Sequence, residues 1–274
     1  GQAYGEWAEP DDVKAMHWTD FVLTKPEVST AYGAYVLSLM AEMSDHMNDC
    51  TAAEKYRAAS ERLKLGYRAL RKTKKYPLDT DRQAQLVRPL YFGLLDKADT
   101  EYAKIRLIKA LDNYGWRVGT GFLSTPLILY VLADIDIEYA YKLLENEEMP
   151  GWLFMPKNGA TSIWEAWEGN STENGGIASL NHYSKGAVCE WIFGEMCGIK
   201  VGDKNEYIVE PKVGGSITHA SCEYNGIWGK IKSEWKRENG KTVYTITVPA
   251  NATAKAILPG GEHILSAGNH TFKL

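Results

Sequence analysis

At Gly198 the hydrophobic rhythm of this 274-residue chain changes from a helical period to a two-residue one, so a single class of secondary structure cannot account for it. From about Pro26 to Met196 the period is helical. Val28, Tyr32, Tyr35, Val36, Leu39, Met40 and Met43 recur at three- and four-residue spacing, which predicts one buried stripe. A second stripe runs through Ala52, Tyr56, Ala59, Leu63, Tyr67 and Leu70, and the polar link near Asp45–Asp49 makes the two an antiparallel helical hairpin. Further helices are expected over Asp81–Leu95, kinked at Pro89, and over Thr100–Tyr114, capped by Asp99 or Thr100. Shorter ones follow at Thr125–Leu132, Ile137–Glu145 and Leu180–Met196. Successive hairpins joined by Gly-, Asp- and Thr-rich links suggest a toroid of paired helices.

Beyond Gly198 the chain carries β-branched and aromatic runs in alternation, such as Ile227–Trp235 and Thr242–Val248. Turn signals separate them at Asn225–Gly226, Asn239–Gly240, Pro259–Gly260–Gly261 and Gly268–Asn269. The expected fold class is mainly α with a β domain: a helical portion over residues 1–198 and a small antiparallel β-sandwich over residues 199–274.

Composition narrows what such a chain does. A formal charge of −4 argues against a nucleic-acid partner, which needs clustered Lys or Arg. The one basic run, Arg71–Lys75, reads as a solvated helix end. The longest apolar stretch, around Pro126–Ala133, falls well short of the roughly 20 residues that cross a bilayer. Cys50, Cys189, Cys197 and Cys222 have no CxxC spacing and read as free thiols of a reducing compartment, which favours a cytoplasmic location. Sequons stand at Asn170, Asn251 and Asn269 and matter only in a glycosylating pathway. The first ten residues, GQAYGEWAEP, read as a loop already under way, so the chain is expected to be part of a larger protein.

The chemistry gathers in GATSIWEAWE (159–168) and LNHYSKGA (180–187). Glu165 stands between Trp164 and Trp167 in a loop-like setting, and His182 follows across a glycine-rich segment. A carboxylate that works on water, flat apolar faces that pack on a pyranose ring and a polar donor for hydroxyls are what a sugar-cleaving site requires. Trp7, Trp116, Trp152, Trp164 and Trp167 lie in loop-like contexts and are the candidate sugar platforms. No second ligand stands at helical spacing from His182, so neither a metal nor a cofactor is expected. GxSxG, P-loop and dinucleotide motifs do not occur.

Four segments together resemble the bacterial α-L-rhamnosidases of glycoside hydrolase family 78. They are PGWLFMPKNGATSIWEAWEG (150–169), SLNHYSKGAVCEWIF (179–193), VGTGFLSTPLIL (118–129) and GEW (5–7). The resemblance implies an (α/α)6 barrel, here incomplete, with an appended β-sandwich, and inverting hydrolysis of terminal α-L-rhamnosides. It implies Glu165 as the general base, His182 as a sugar-binding residue and Trp7 as a subsite wall, beside Trp164, which its loop context makes a candidate substrate-binding residue. The partner it implies is a rhamnose-containing glycoside or oligosaccharide. Ser162, Ala166, Gly151 and Glu6 depart from the family pattern, which has Thr, Arg, Ser and Asp there. The family's general-acid motif, which precedes GDW, does not occur in this sequence. Glu6, Glu168 and Glu173 are the available stand-ins, and an N-terminal half of the same enzyme is the expected source of the true acid. A helical-toroid glycosidase for another sugar and a non-catalytic carbohydrate-binding remnant are the alternatives.

Overall fold

A computed structural model describes residues 5–10, 25–72, 77–169 and 179–274. Glu173, the sequon at Asn170 and residues 73–75 of the basic run lie outside them. The chain divides into two compact units, Gly1–Ile135 with Lys142–Lys185, and Asp136–Tyr141 with Gly186–Leu274.

The first unit opens with the hairpin of α1 (Lys25–His46) and α2 (Cys50–Lys72). Asn48 makes the reversal at φ 60°, a conformation asparagine tolerates better than most residues, and the Asp49 carboxylate caps α2 by accepting the Ala52 N–H at 3.0 Å. The face that α1 turns inward is its small one. Ala31, Ala34 and Ala41 are buried, Ser60 Oγ reaches the Ala34 carbonyl at 2.7 Å, and a Cβ placed on Gly33 would stand 3.0 Å from Leu63 Cδ1. Small side chains let the backbones close, and of the larger apolar residues Val28 stays buried while three others are turned outward. Val36, Leu39 and Met43, expected in the buried stripe, are 48%, 37% and 63% exposed. Tyr32 and Tyr35 are half-buried and pack on Phe92, with ring centroids 4.9 and 4.5 Å away.

α3 (Gln83–Tyr91) is shorter than the expected Asp81–Leu95. Pro89 lacks the N–H that would extend the ladder, and the helix stops two residues later, with Gly93 at φ 60°, rather than kinking. α4 (Lys97–Asn113) starts earlier than expected because Asp96, not Asp99 or Thr100, is its cap: the Asp96 side chain accepts the Asp99 N–H at 2.9 Å. Leu86, Val87, Leu107 and Leu111, with Ile128 and Leu132 of α5 (Thr125–Ile135), are completely buried and form the core of this unit. Next in the chain comes α6 (Ile137–Leu144), of which residues 137–141 are assigned to the second unit and 142–144 to the first.

Inside this core sits a polar cluster. Arg88 of α3 is buried, as are Glu6, Glu27 of α1 and Ser124. Its guanidinium pairs with Glu6, donates to Glu27 Oε2 at 2.7 Å and to Ser124 Oγ at 2.9 Å, and Tyr67 of α2 donates to Glu27 Oε1 at 2.8 Å. Burial alone would lower the Arg88 pKa, but Glu27 and Glu6 outweigh it and hold the guanidinium above its usual value.

The second unit is built on two four-stranded sheets. One has the order β1 (Ile199–Val201), β2 (Glu206–Val209), β6 (Thr253–Leu258), β7 (Gly261–Leu265); the other has β3 (His219–Gly226), β4 (Gly229–Glu238), β5 (Lys241–Val248), β8 (Gly268–Lys273). Every pairing is antiparallel except β2 with β6, which is parallel in the register Glu206↔Thr253. Alternation buries Ile231 and Trp235 of β4 and Tyr244 and Ile246 of β5 on one side, and Tyr207, Val209, Ala254 and Ala256 on the other. The sheets meet where the Tyr207 hydroxyl donates to the Gly229 carbonyl at 3.1 Å. Asn239 and Gly240, both at positive φ, close the β4–β5 hairpin as the Asn-Gly signal predicts. The expected helix Leu180–Met196 is broken into the short turns Tyr183–Gly186 and Val188–Trp191 and a π turn, Ile192–Met196. All four cysteines are free thiols.

Candidate active site

Four loop segments of the first unit converge on Glu165. Residues 163–165 and 179–182 clasp each other through main-chain bonds: Glu165 N–H donates to the Ser179 carbonyl at 2.8 Å, and His182 N–H to the Ile163 carbonyl at 2.9 Å. The clasp sets the two side chains together, with His182 Nε2 at 4.0 Å from Glu165 Oε1. Glu165 Oε2 accepts the Ser179 N–H at 2.9 Å. Ser184 engages His182 Nδ1, its N–H approaching at 3.3 Å and its hydroxyl lying 2.9 Å away, which leaves Nε2 facing the carboxylate. The separation of 4.0 Å is longer than a hydrogen bond and leaves both atoms with capacity for a third group. The Glu165 side chain is 32% exposed and that of His182 21%.

The third segment is the loop before α5. Phe122 packs on the His182 ring at 4.9 Å between centroids, while its N–H donates to the Trp7 carbonyl at 2.7 Å and so attaches the fourth segment, GEW. Glu6 anchors that segment by accepting from Gly121 N–H, Ser124 N–H and Ser124 Oγ at 3.0, 2.9 and 2.8 Å, in addition to Arg88. Burial pushes its carboxyl up, and Arg88 opposes the shift. With both oxygens occupied and no exposed surface, Glu6 has no face to offer a glycosidic oxygen. Gly121 permits this close approach, because a Cβ there would stand 3.0 Å from the Trp7 carbonyl carbon and nearer still to its oxygen. Gly121→Ala is expected to lower stability by about 2 kcal/mol and displace Trp7; unchanged urea midpoint and Trp fluorescence would contradict the close approach.

The tryptophans divide by burial. Trp7 is 45% exposed, and Trp164 is half-buried, its ring close enough to Gly169 that a Cβ there would lie 3.0 Å from ring atom Cε3. Trp116, Trp152 and Trp167, expected as platforms, are 7%, 4% and 3% exposed and belong to the core. Trp152 meets Trp167 edge-on at 5.9 Å and donates its Nε1–H to the Lys185 carbonyl at 3.0 Å.

Lys185 is the site residue that sequence reasoning missed. It is 1% exposed, with Nζ bonded to the Glu165 main-chain carbonyl and lying 4.8 Å from the Trp167 ring centroid and 5.1 Å from that of Phe122. Burial lowers its pKa from 10.5 to about 8, against the pull of Glu168 and Glu165. Because the folded value lies below the unfolded one, the charge costs stability at every pH below about 8, and the cost is relieved as pH rises toward 10.5. Wild type is therefore expected to gain urea resistance relative to Lys185→Met between pH 7.5 and 9.5; a difference that stays constant with pH would contradict this.

Among the described residues no group of three or more His, Cys, Asp or Glu is placed to hold a metal ion, and no helix is long and apolar enough to cross a membrane.

Residues 1–196 match the family model of the bacterial α-L-rhamnosidase six-hairpin glycosidase domain. The chain belongs to the bacterial α-L-rhamnosidase family. Residues 205–273 match the C-terminal domain of the same enzymes, and the helical, barrel-like portion followed by a β domain is the architecture these rhamnosidases share. An α-L-rhamnosidase of Streptomyces avermitilis is 28% identical over 263 residues, covering 93% of this chain and 24% of the relative. One from Formosa agariphila is 29% identical over 265 residues, covering 94% and 28%. The crystal structure of the Streptomyces avermitilis α-L-rhamnosidase complexed with L-rhamnose superposes with a TM-score of 0.81 at 26% identity, covering 99% of this chain and 28% of that one. This rhamnosidase-family chain thus spans about a quarter of the length of these relatives.

Proposed function

We propose that this chain carries the general-base side of an α-L-rhamnosidase active site that hydrolyses terminal α-L-rhamnosides with inversion. The observation that carries the reading is the clasped pair of Glu165 and His182, with Phe122 packed on the His182 ring and holding the Trp7 main chain, in a chain whose residues 1–196 match the rhamnosidase barrel. Glu165 accepts the proton of the water that attacks the anomeric carbon, with Ser179 N–H steadying one oxygen and leaving the other free to act. His182 donates its Nε2–H to a sugar hydroxyl, and Trp7 and Trp164 offer apolar faces to the ring. The bound sugar in the Streptomyces avermitilis structure supports L-rhamnose as the glycone.

Inverting hydrolysis also needs a carboxylic acid about 6.5–9.5 Å from the base. Glu6 is taken up by four donors, so we assign the acid to an N-terminal portion of the same enzyme, two of whose longer relatives this chain covers to 24% and 28%. The outward apolar face of α1, with Val36, Leu39 and Met43, is a surface such a portion would cover.

The test is release of p-nitrophenol from p-nitrophenyl α-L-rhamnopyranoside beside a panel of other aryl glycosides, with the first-formed anomer read by ¹H NMR. With the N-terminal portion supplied, the rhamnoside is expected to be the preferred substrate and β-L-rhamnose the first product. Faster cleavage of another glycoside overturns the sugar, and retention overturns the mechanism. Binding of L-rhamnose with no turnover, even with that portion present, is the signature of a carbohydrate-binding remnant.

A further inference from the structure

We propose that Lys185 is a positioning residue: its buried ammonium holds the main chain at Glu165, and so fixes where the carboxylate points. The proposal rests on the reading of Glu165 as the base. Lys185 is the only buried lysine among the described residues. Its ammonium donates to the carbonyl of Glu165 itself and lies near the faces of Trp167 and Phe122, whose loops flank the clasp. One side chain therefore ties residue 165 to the loop that packs on His182 and holds Trp7.

Packing alone does not require an ammonium here. A methionine would fill the same volume and suit the two aromatic rings, without the cost of a buried charge. What the lysine adds is a charge-assisted donor to one particular carbonyl. At 1% exposure the ammonium does not reach substrate, so it is not a proton donor in the reaction. Its effect is on geometry, where displacement of a reacting group by about 1 Å costs on the order of 10²-fold in rate.

The test compares the wild-type chain with Lys185→Met by amide hydrogen exchange and by L-rhamnose titration. The variant is expected to speed exchange at least tenfold at residues 163–167 and 179–182, weaken L-rhamnose binding at least tenfold, and leave the α1–α2 hairpin unchanged. Lys185→Gln, which keeps a donor without the charge, is expected to fall between the two, and it takes the place of Lys185→Met should that variant not fold. Unchanged exchange at residues 163–167 overturns the proposal whatever happens to binding. Faster exchange throughout the unit overturns it too, because the lysine then supports the fold in general. If the wild type does not bind L-rhamnose while exchange responds as expected, the positioning role stands and the rhamnoside reading of the site falls.

Discussion

Glutamine at position 165 is expected to slow rhamnoside hydrolysis by about two to four decades, with L-rhamnose binding retained within about threefold. The amide keeps the shape of the side chain, and its carbonyl oxygen still accepts the Ser179 N–H. It can no longer take a proton from water. The comparison is of wild type and Glu165→Gln, each supplied with the N-terminal portion, at saturating p-nitrophenyl α-L-rhamnopyranoside. His182→Ala is the contrasting case, since loss of a donor to sugar hydroxyls raises KM as well. A Glu165→Gln rate within tenfold of wild type would remove Glu165 from the role of base.

The largest expected effect on stability belongs to Arg88. Replacing it by methionine leaves Glu6 and Glu27 buried without their counter-charge, and breaking a buried ion pair in this way costs about 3–5 kcal/mol. The damage reaches the site as well, because Glu6 anchors the segment that presents Trp7. Adding Glu6→Gln and Glu27→Gln to Arg88→Met removes the stranded charges and is expected to recover much of the loss. Urea unfolding at pH 7 measures both variants. A loss below about 1 kcal/mol for Arg88→Met alone would mean that the carboxylates find other partners or water.

Local chemistry carried most of what the sequence reveals about the fold. The change of period at Gly198, the reversal near Asn48 and the Asn239–Gly240 turn each depend on residues close in sequence, so each is legible without coordinates. The face of α1 was not, because an apolar stripe does not say which side another helix will approach. Ala31, Ala34 and Ala41 permit the closer approach, and Val36, Leu39 and Met43 are left outside. Arg88 was equally hidden, since what makes its burial tolerable comes from Glu6 and Glu27, 82 and 61 residues away. At the site, Glu165 and His182 stood out as polar groups among aromatics in loop-like sequence. Loop sequence says nothing of burial, however, so Trp116, Trp152 and Trp167 looked equivalent to Trp7 and are not. Lys185 sits inside the LNHYSKGA segment, where a lysine is read as solvated by default, because lysine is almost never fully buried unless paired. Its partner is a carbonyl 20 residues away, which no local pattern discloses.

L-Rhamnose titration of the isotope-labelled chain, followed by NMR, tests the central claim most directly because binding does not depend on the general acid. Shifts concentrated at Trp7, Phe122, Trp164, Glu165 and His182, and much weaker with D-glucose, are the predicted result. Shifts elsewhere in the chain, or an equal response to both sugars, would contradict the assignment of these four loops as a rhamnoside site.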